Sequence, residues 1–219
     1  MSDHSSHGSG LAHQFDDLDQ QLDATTLGMW LFLAQEIMFF GGLFAAYTIY
    51  RNWHPEAFAE ASHHLDIKLG GFNTVVLIFS SLTMALGVRA AQMGKNKAVF
   101  NYLFATFMLG NVFLVVKAFE YHHKWVEGLI PGPWFRFEGS TDPAVQMFFN
   151  LYFAMTGMHA LHMIIGGGLL IYFMVQARKN RYHEGYYGPV EIMGLYWHFV
   201  DIVWIFLFPL LYLLGLHNS

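Results

Sequence analysis

The chain has 219 residues, with 11 Lys and Arg against 16 Asp and Glu, for a net charge of −5. Only 12% of its residues are charged, while 55% are hydrophobic and 18% aromatic. A soluble domain carries about 25% charged residues, so a water-facing fold is excluded and an integral membrane protein is predicted. The acidic balance offers no face for nucleic acid. The absence of Cys rules out disulfides, thiolate zinc sites, Fe–S clusters and Cys nucleophiles.

Residues 1–25 are Ser, His, Gly, Gln and Asp in character, without Lys or Arg. This composition reads as a polar flexible tail and lacks the basic start of a secretory signal. His4, His7 and His13 in it read as solvated side chains.

Five apolar stretches follow over residues 26–219. A membrane span needs about 20 helical residues to cross the hydrocarbon core. Leu27–Tyr50 contains one ionisable group, Glu36, and Leu69–Val88 contains none. Ala98–Val116 also has none and ends before Lys117 and Glu120. Ala144–Ala177 has 34 residues without Asp, Glu, Lys or Arg. That is too short for two spans and a loop, so it predicts one long helix, tilted or projecting into water. Val190–Leu216 holds Glu191, His198 and Asp201, and its Pro209 predicts a bend. The fold class expected is therefore all-α: an integral membrane bundle of five transmembrane helices.

The long loops are expected at Arg51–Lys68 and Glu120–Pro143, with interface aromatics at Tyr50, Trp53, Trp125 and Trp134. An odd number of spans puts the ends on opposite sides. With the N-terminus cytoplasmic, inside segments hold Arg89, Lys95, Lys97, Arg178, Lys179 and Arg181. Outside segments then hold Arg51, Lys68, Lys117, Lys124 and Arg136, so six against five favours that orientation.

Polar groups within spans need a reason, since a charge at the bilayer centre costs at least about 2.5–3.5 kcal/mol. Glu36 lies ~15 Å past Thr26 along the first helix, with nothing basic within a turn. It is read either as a protonated group bridging helices or as a proton- or lipid-handling one. Gly41, Gly42, Ala45 and Ala46 form small-xxx-small pairs mostly opposite Glu36 and predict a close-packed face.

His159, His162 and Gly166 share one face of the fourth helix. Glu191, Gly194, His198 and Asp201 share one face of the fifth. These two stripes are expected to meet. His159-x-x-His162, Glu120-x-x-His123 and His198-x-x-Asp201 resemble di-iron ligand spacings only superficially. A four-helix carboxylate site uses two Glu-x-x-His motifs plus two further Glu, and this chain has one Glu-x-x-His. An axial His for haem is allowed by count, but hydrogen-bonded structural histidines are the reading adopted.

Several motifs in order carry a resemblance to a known family. They are Glu36-Ile37-Met38-Phe39-Phe40, Asn73-Thr74, Phe119-Glu120-Tyr121, Thr156-Gly157-Met158-His159-Ala160-Leu161-His162 with Gly166, and Tyr196-Trp197-His198-Phe199-Val200-Asp201-Ile202-Val203-Trp204. Across roughly residues 26–216 they resemble subunit III of the haem-copper terminal oxidases, in its five-helix bacterial form. The seven-helix form has a leading pair of helices across a lipid-filled cleft, for which this chain has no room. Ala160 stands where the family often has Gly.

The resemblance implies a subunit without haem, copper or catalytic residues of its own. Haem and copper sit in partner subunits, and subunit III packs on subunit I beside subunit II. Other respiratory subunits are possible neighbours. It binds phospholipid and supports proton uptake and lasting turnover, while the complex reduces oxygen to water with cytochrome c or quinol as donor. The location implied is the bacterial inner membrane, with the C-terminus outside. The polar residues expected to serve proton, lipid or structural roles are Glu36, Asn73, Glu120, His159, His162, Glu191, His198 and Asp201. Gly157 and Gly166 join the small residues of the first helix as packing positions. Three alternatives stand beside this: the homologue associated with nitric oxide reductases, a free-standing di-iron oxidase or hydroxylase, and a small transporter using Glu36 as proton carrier. Transport folds show repeats and broken helices, and neither is visible here.

Overall fold

A computed structural model of the chain describes Phe15 and residues 17–132, 135–137, 142–183 and 186–213. The described residues form α1 (Leu18–Trp53), α2 (Pro55–Ser62), α3 (Ile67–Gln92), α4 (Asn96–Val126), α5 (Pro143–Arg178) and α6 (Gly188–Phe208). A π-helical turn, Pro209–Leu213, continues α6. Five helices are long and apolar enough to cross a bilayer: α1, α3, α4, α5, and α6 with its π-turn. The all-α five-span bundle expected from the apolar stretches is therefore present.

Three spans begin at an Asp whose side chain accepts backbone N–H groups otherwise left without partners. Asp17 accepts from Gln20 N at 2.7 Å. Asp66 accepts from Lys68 N at 2.9 Å and Leu69 N at 3.2 Å, and Asp142 accepts from Ala144 N at 2.8 Å. Pro143 follows at the first helical position of α5, where a missing N–H costs nothing. The tight α3–α4 connection turns at Gly94, whose φ of 65° is left-handed. Asn96 then grips the segment after α5 from both sides, its Nδ2 donating to Tyr182 O at 2.7 Å and its Oδ1 accepting from Tyr182 N at 3.1 Å.

The bundle is built around α6. It packs on α3, α5 and α1, and α4 closes the other side against α3 and α5. In their most apolar stretches 56% of α6 residues are buried but only 17% of α1 residues. Trp197 and Trp204 of α6 are the largest fully buried side chains. The outer surface carries exposed Ile78, Phe79, Phe119, Ile164 and Phe206, a surface suited to hydrocarbon and ill suited to water.

Four boundaries differ from the sequence reading. α1 starts at Leu18, so the tail expected to reach residue 25 already contains helix. Its cap, Asp17, lies in polar sequence that hydropathy passes over. Residues 1–14, with His4, His7 and His13, lie outside the described residues, as does Trp134. The first long loop contains α2, whose Phe58 is buried against Tyr47 and Phe148 with ring centroids 5.4 and 5.5 Å away. α4 continues past Val116 to Val126, so Lys117 and Glu120 belong to the helix and not to the expected loop. At Pro209 the chain widens into the π-turn, which accommodates a ring that an α-helical turn would clash with.

Candidate functional site

The most tightly built polar cluster centres on Lys117, a residue assigned to a helix end by sequence reading. Lys117 and Glu120 are one turn apart on α4 and only 3% and 4% exposed. The Lys117 ammonium donates to Glu120 Oε2 at 2.9 Å, to the Tyr152 hydroxyl at 3.2 Å and to the Tyr212 hydroxyl at 3.0 Å. All three of its protons are thereby used. The two tyrosines in turn donate to Glu120 Oε1, at 2.9 Å from Tyr152 and 2.5 Å from Tyr212. Rings of Tyr121, Tyr152, Trp204 and Tyr212 surround the ammonium, with centroids 5.1–5.6 Å away. The π-turn after Pro209 is what carries Tyr212 to this point. α4, α5, α6 and the π-turn all meet here, and every donor and acceptor finds a partner. Beside it, the hydroxyls of Tyr121 and Thr156 lie 2.5 Å apart and join α4 to α5.

A second cluster joins α1 to α5. His162 Nε2 lies 3.2 Å from Glu36 Oε2. Its Nδ1 is 2.8 Å from the Met158 carbonyl and must carry a proton to bond there. Nε2 is thereby the ring nitrogen turned toward Glu36 of α1. Tyr196 donates to the His162 carbonyl at 2.9 Å, tying α6 to the same turn of α5. Glu36, without a partner on its own helix, thus finds one on α5.

A third cluster runs along the antiparallel α3–α6 contact. Trp197 Nε1 donates to Ser80 Oγ at 2.9 Å, and Trp204 Nε1 donates to Thr74 Oγ1 at 3.1 Å. Next to the first of these, Ser81 Oγ lies 2.6 Å from His198 Nδ1. Ser81 also neighbours Asp201, but neither Asp201 oxygen makes a hydrogen bond to another described residue. The same holds for both polar atoms of Asn73 and both ring nitrogens of His159. His159 is wedged between Phe113 and Trp204, with ring centroids 5.3 and 5.4 Å away.

The expected meeting of two polar stripes is corrected by this geometry. His198 and Asp201 turn toward α3, while α6 meets α5 through Tyr196 and Trp197 at Gly166. A Cβ on Gly166 would lie 2.9 Å from Tyr196 Cε1 and 3.0 Å from Trp197 Cζ3, so only Gly permits this approach. Gly157 has looser surroundings, with the Tyr121 hydroxyl 3.7 Å from such a Cβ. Glu191 is exposed in the first turn of α6, away from the stripe it was grouped with. Its separation from Asp201 spans nearly three turns, over which a straight-helix projection drifts. The small face of α1 is not packed within the chain either. Nothing stands within 4 Å of a Cβ added to Gly41 or Gly42, and Ala45 is exposed while Ala46 is half-buried. Among the described residues no three His, Asp or Glu side chains converge to hold a metal ion.

Lys117 and its tyrosines escaped the sequence reading for a physical reason. The arithmetic of a 20-residue span stops at Val116, and the partners lie 35 and 95 residues further on. The available signal was the Lys-x-x-Glu pair itself, set directly against apolar sequence on one side and Tyr121 on the other.

Comparison with known proteins bears on this arrangement. The family described as Cytochrome c oxidase subunit III matches residues 19–216. A protein named cytochrome c oxidase subunit 3 from Corynebacterium diphtheriae is 32% identical over 189 residues, covering 85% of this chain and 86% of its own length. Another of that name from Synechocystis sp. is 34% identical over 193 residues, with coverages of 88% and 76%. A probable quinol oxidase subunit 3 from Staphylococcus aureus is 26% identical over 212 residues, with coverages of 95% and 100%. The five spans, the polar motifs in their expected order and a family match across nearly the whole chain lead to one conclusion: this multi-pass membrane protein belongs to the cytochrome c oxidase subunit III family.

Proposed function

We propose that the chain is the non-redox subunit of a haem-copper terminal oxidase, which takes electrons from cytochrome c or quinol and reduces oxygen while moving protons. Haem and copper belong to its partner subunits. The observation carrying this reading is the subunit III family match over residues 19–216. The interior geometry supports it: many buried polar groups are spent on joining helices, as at Lys117–Tyr152, Lys117–Tyr212 and Trp197–Ser80.

Packing on subunit I is assigned to α1. Its span is the least buried of those compared above, and its Gly41–Gly42–Ala45 face is free for a second helix to approach closely. Phospholipid is assigned to the groove between α1 and α6, about 610 Å³ in volume, lined by apolar side chains such as Trp30, Ile37, Phe44 and Phe206. Acyl chains match such walls. Support of proton uptake is assigned to Glu36 and His162, whose carboxyl oxygen and ring nitrogen lie 3.2 Å apart near the end of that groove where Phe40 contacts His162. The membrane is the bacterial inner membrane, with the N-terminus cytoplasmic. The burial of Lys117 and Lys124, each 3% exposed, removes both from the outside count, which leaves six basic residues against three.

The test is purification of the tagged chain from its native membrane in mild detergent. A haem-copper subunit I is expected to accompany it, with the haem spectrum absent once the chain is separated. Stoichiometric haem or copper on the separated chain, or co-purification with a nitric oxide reductase in place of an oxidase, would overturn the reading.

A further inference from the structure

A second pocket lies between α3 and α6, beside the α1–α6 groove, with which it shares His198 and Ile202 as walls. Its volume is about 310 Å³, and Ser81, His198 and Asp201 are its polar lining. Asp201 is 2% exposed; the Ser81 hydroxyl is its polar neighbour but is engaged by His198 Nδ1 at 2.6 Å, and neither Asp201 oxygen meets hydrogen-bond geometry with a described residue. A buried acceptor in this condition calls for a donor. Asp201 is 13 residues past Gly188 and Ser81 is 14 past Ile67, so both sit ~20 Å along their helices, close to the bilayer midplane. A lipid headgroup does not reach that depth.

The balance of volume and polarity narrows the occupant. Each bulk water takes about 30 Å³ and a buried one needs two to four polar partners. Three polar side chains satisfy one or two waters, far fewer than the pocket would hold. The rest of the wall is hydrocarbon, from Leu77, Ile78, Leu82, Ala85, Ile202 and Ile205. Ile78, Leu82, Ile202 and Ile205 are exposed at its mouth, so the pocket opens toward lipid. A small-molecule site has this character: about 300 Å³ or more, mostly apolar, with a few converging polar groups. The bond between Ser81 and His198 Nδ1 also matters. With the hydroxyl donating, His198 keeps its proton on Nε2, and the pocket lining then has a donor beside the Asp201 carboxyl, whose carbonyl oxygen accepts.

We propose that this pocket binds a lipid-soluble phenol, a flat apolar ring whose hydroxyl donates to Asp201. Two sources share that chemistry: a simple phenol dissolved in the membrane and the reduced ring of a hydroquinone. The proposal stands apart from the oxidase assignment, because it uses only α3 and α6.

The probe is 4-(trifluoromethyl)phenol, followed by fluorine NMR on the complex purified in mild detergent. Its control is 4-(trifluoromethyl)anisole, of similar shape without the donor. Saturable phenol binding is expected, with the anisole about tenfold weaker, the worth of one buried hydrogen bond. Asp201→Leu abolishes the preference. Ile205→Trp, which fills the mouth without touching Asp201, blocks both probes and keeps the proposal testable if the first variant fails to fold. Competition by a short-chain hydroquinone but not by its dimethyl ether would identify the hydroquinone source. Competition by hindered alkylphenols alone would identify the simple one. Equal affinity for phenol and anisole, binding unaltered in Ile205→Trp, or a side chain of another subunit found filling the pocket would each overturn it.

Discussion

Lys117 and Glu120 illustrate what it takes to keep opposite charges inside a bundle. Their mutual attraction alone does not offset the loss of water. The two tyrosine hydroxyls make up the difference by accepting from the ammonium and donating to the carboxylate. Removing one charge is therefore much worse than removing both. Lys117→Met is expected to destabilise the protein by about 3–5 kcal/mol, seen as a lower thermal unfolding midpoint in detergent. Lys117→Met combined with Glu120→Leu recovers most of that loss. A double variant no better than the single one would refute the account. Glu36 differs, because its single partner, His162, lies at the edge of the bundle with both side chains 12% exposed. Glu36→Ala is expected to leave the complex assembled on native gels while lowering the phospholipid retained per complex after detergent washing. Disappearance of the complex would contradict this.

Among elements, the α5–α6 contact is the most restrictive. Gly166 lies under Tyr196 and Trp197, and the Trp197 ring also reaches Gly110 of α4, where an added Cβ would come within 3.0 Å. Gly166→Leu must push the rings aside or separate the helices, at a cost of about 1–3 kcal/mol from overpacking. Gly168→Leu, at a position with nothing within 4 Å, serves as the neutral comparison. Equal unfolding midpoints for the two variants would sink the argument. These elements also show how far the primary structure can be read. The spans were legible because apolar runs near 20 residues have one reading in a bilayer. Gly166 was legible as a packing position through its helical register with His159 and His162. The rotation of α6 was not, since Asp201 and His198 reveal their neighbour only once α3 supplies Ser81. Nor was the π-turn: Pro209 announces a break without saying that Tyr212 will swing back to α4. Hydropathy likewise said nothing about α2, whose apolar side covers the ends of α1 and α5 in a segment too short to span.

At the scale of the molecule, the bundle is lopsided. α6 is its axis, while α1 touches the rest along one side and leaves a small-residue face and an apolar groove open. A helix so placed contributes little to holding the chain together and much to what binds it. Gly42→Leu is accordingly expected to leave the unfolding midpoint of the isolated chain within about 0.5 kcal/mol of the parent. The same change reduces recovery of partner subunits in a pull-down several-fold. An unchanged yield of partners would remove α1 from the interface.

The geometry around Lys117 also bears on the order in which the protein is made. Lys117 precedes Tyr152 by 35 residues and Tyr212 by 95, so α4 is synthesised before the side chains that complete its polar shell. Throughout that interval the ammonium and carboxylate have only each other, in a helix destined for hydrocarbon. The nascent segment therefore has to wait at the insertion channel, or be shielded by it, until the later helices come to cover its charges. A polypeptide that ends before the π-turn lacks Tyr212 and so leaves a buried charge pair one partner short.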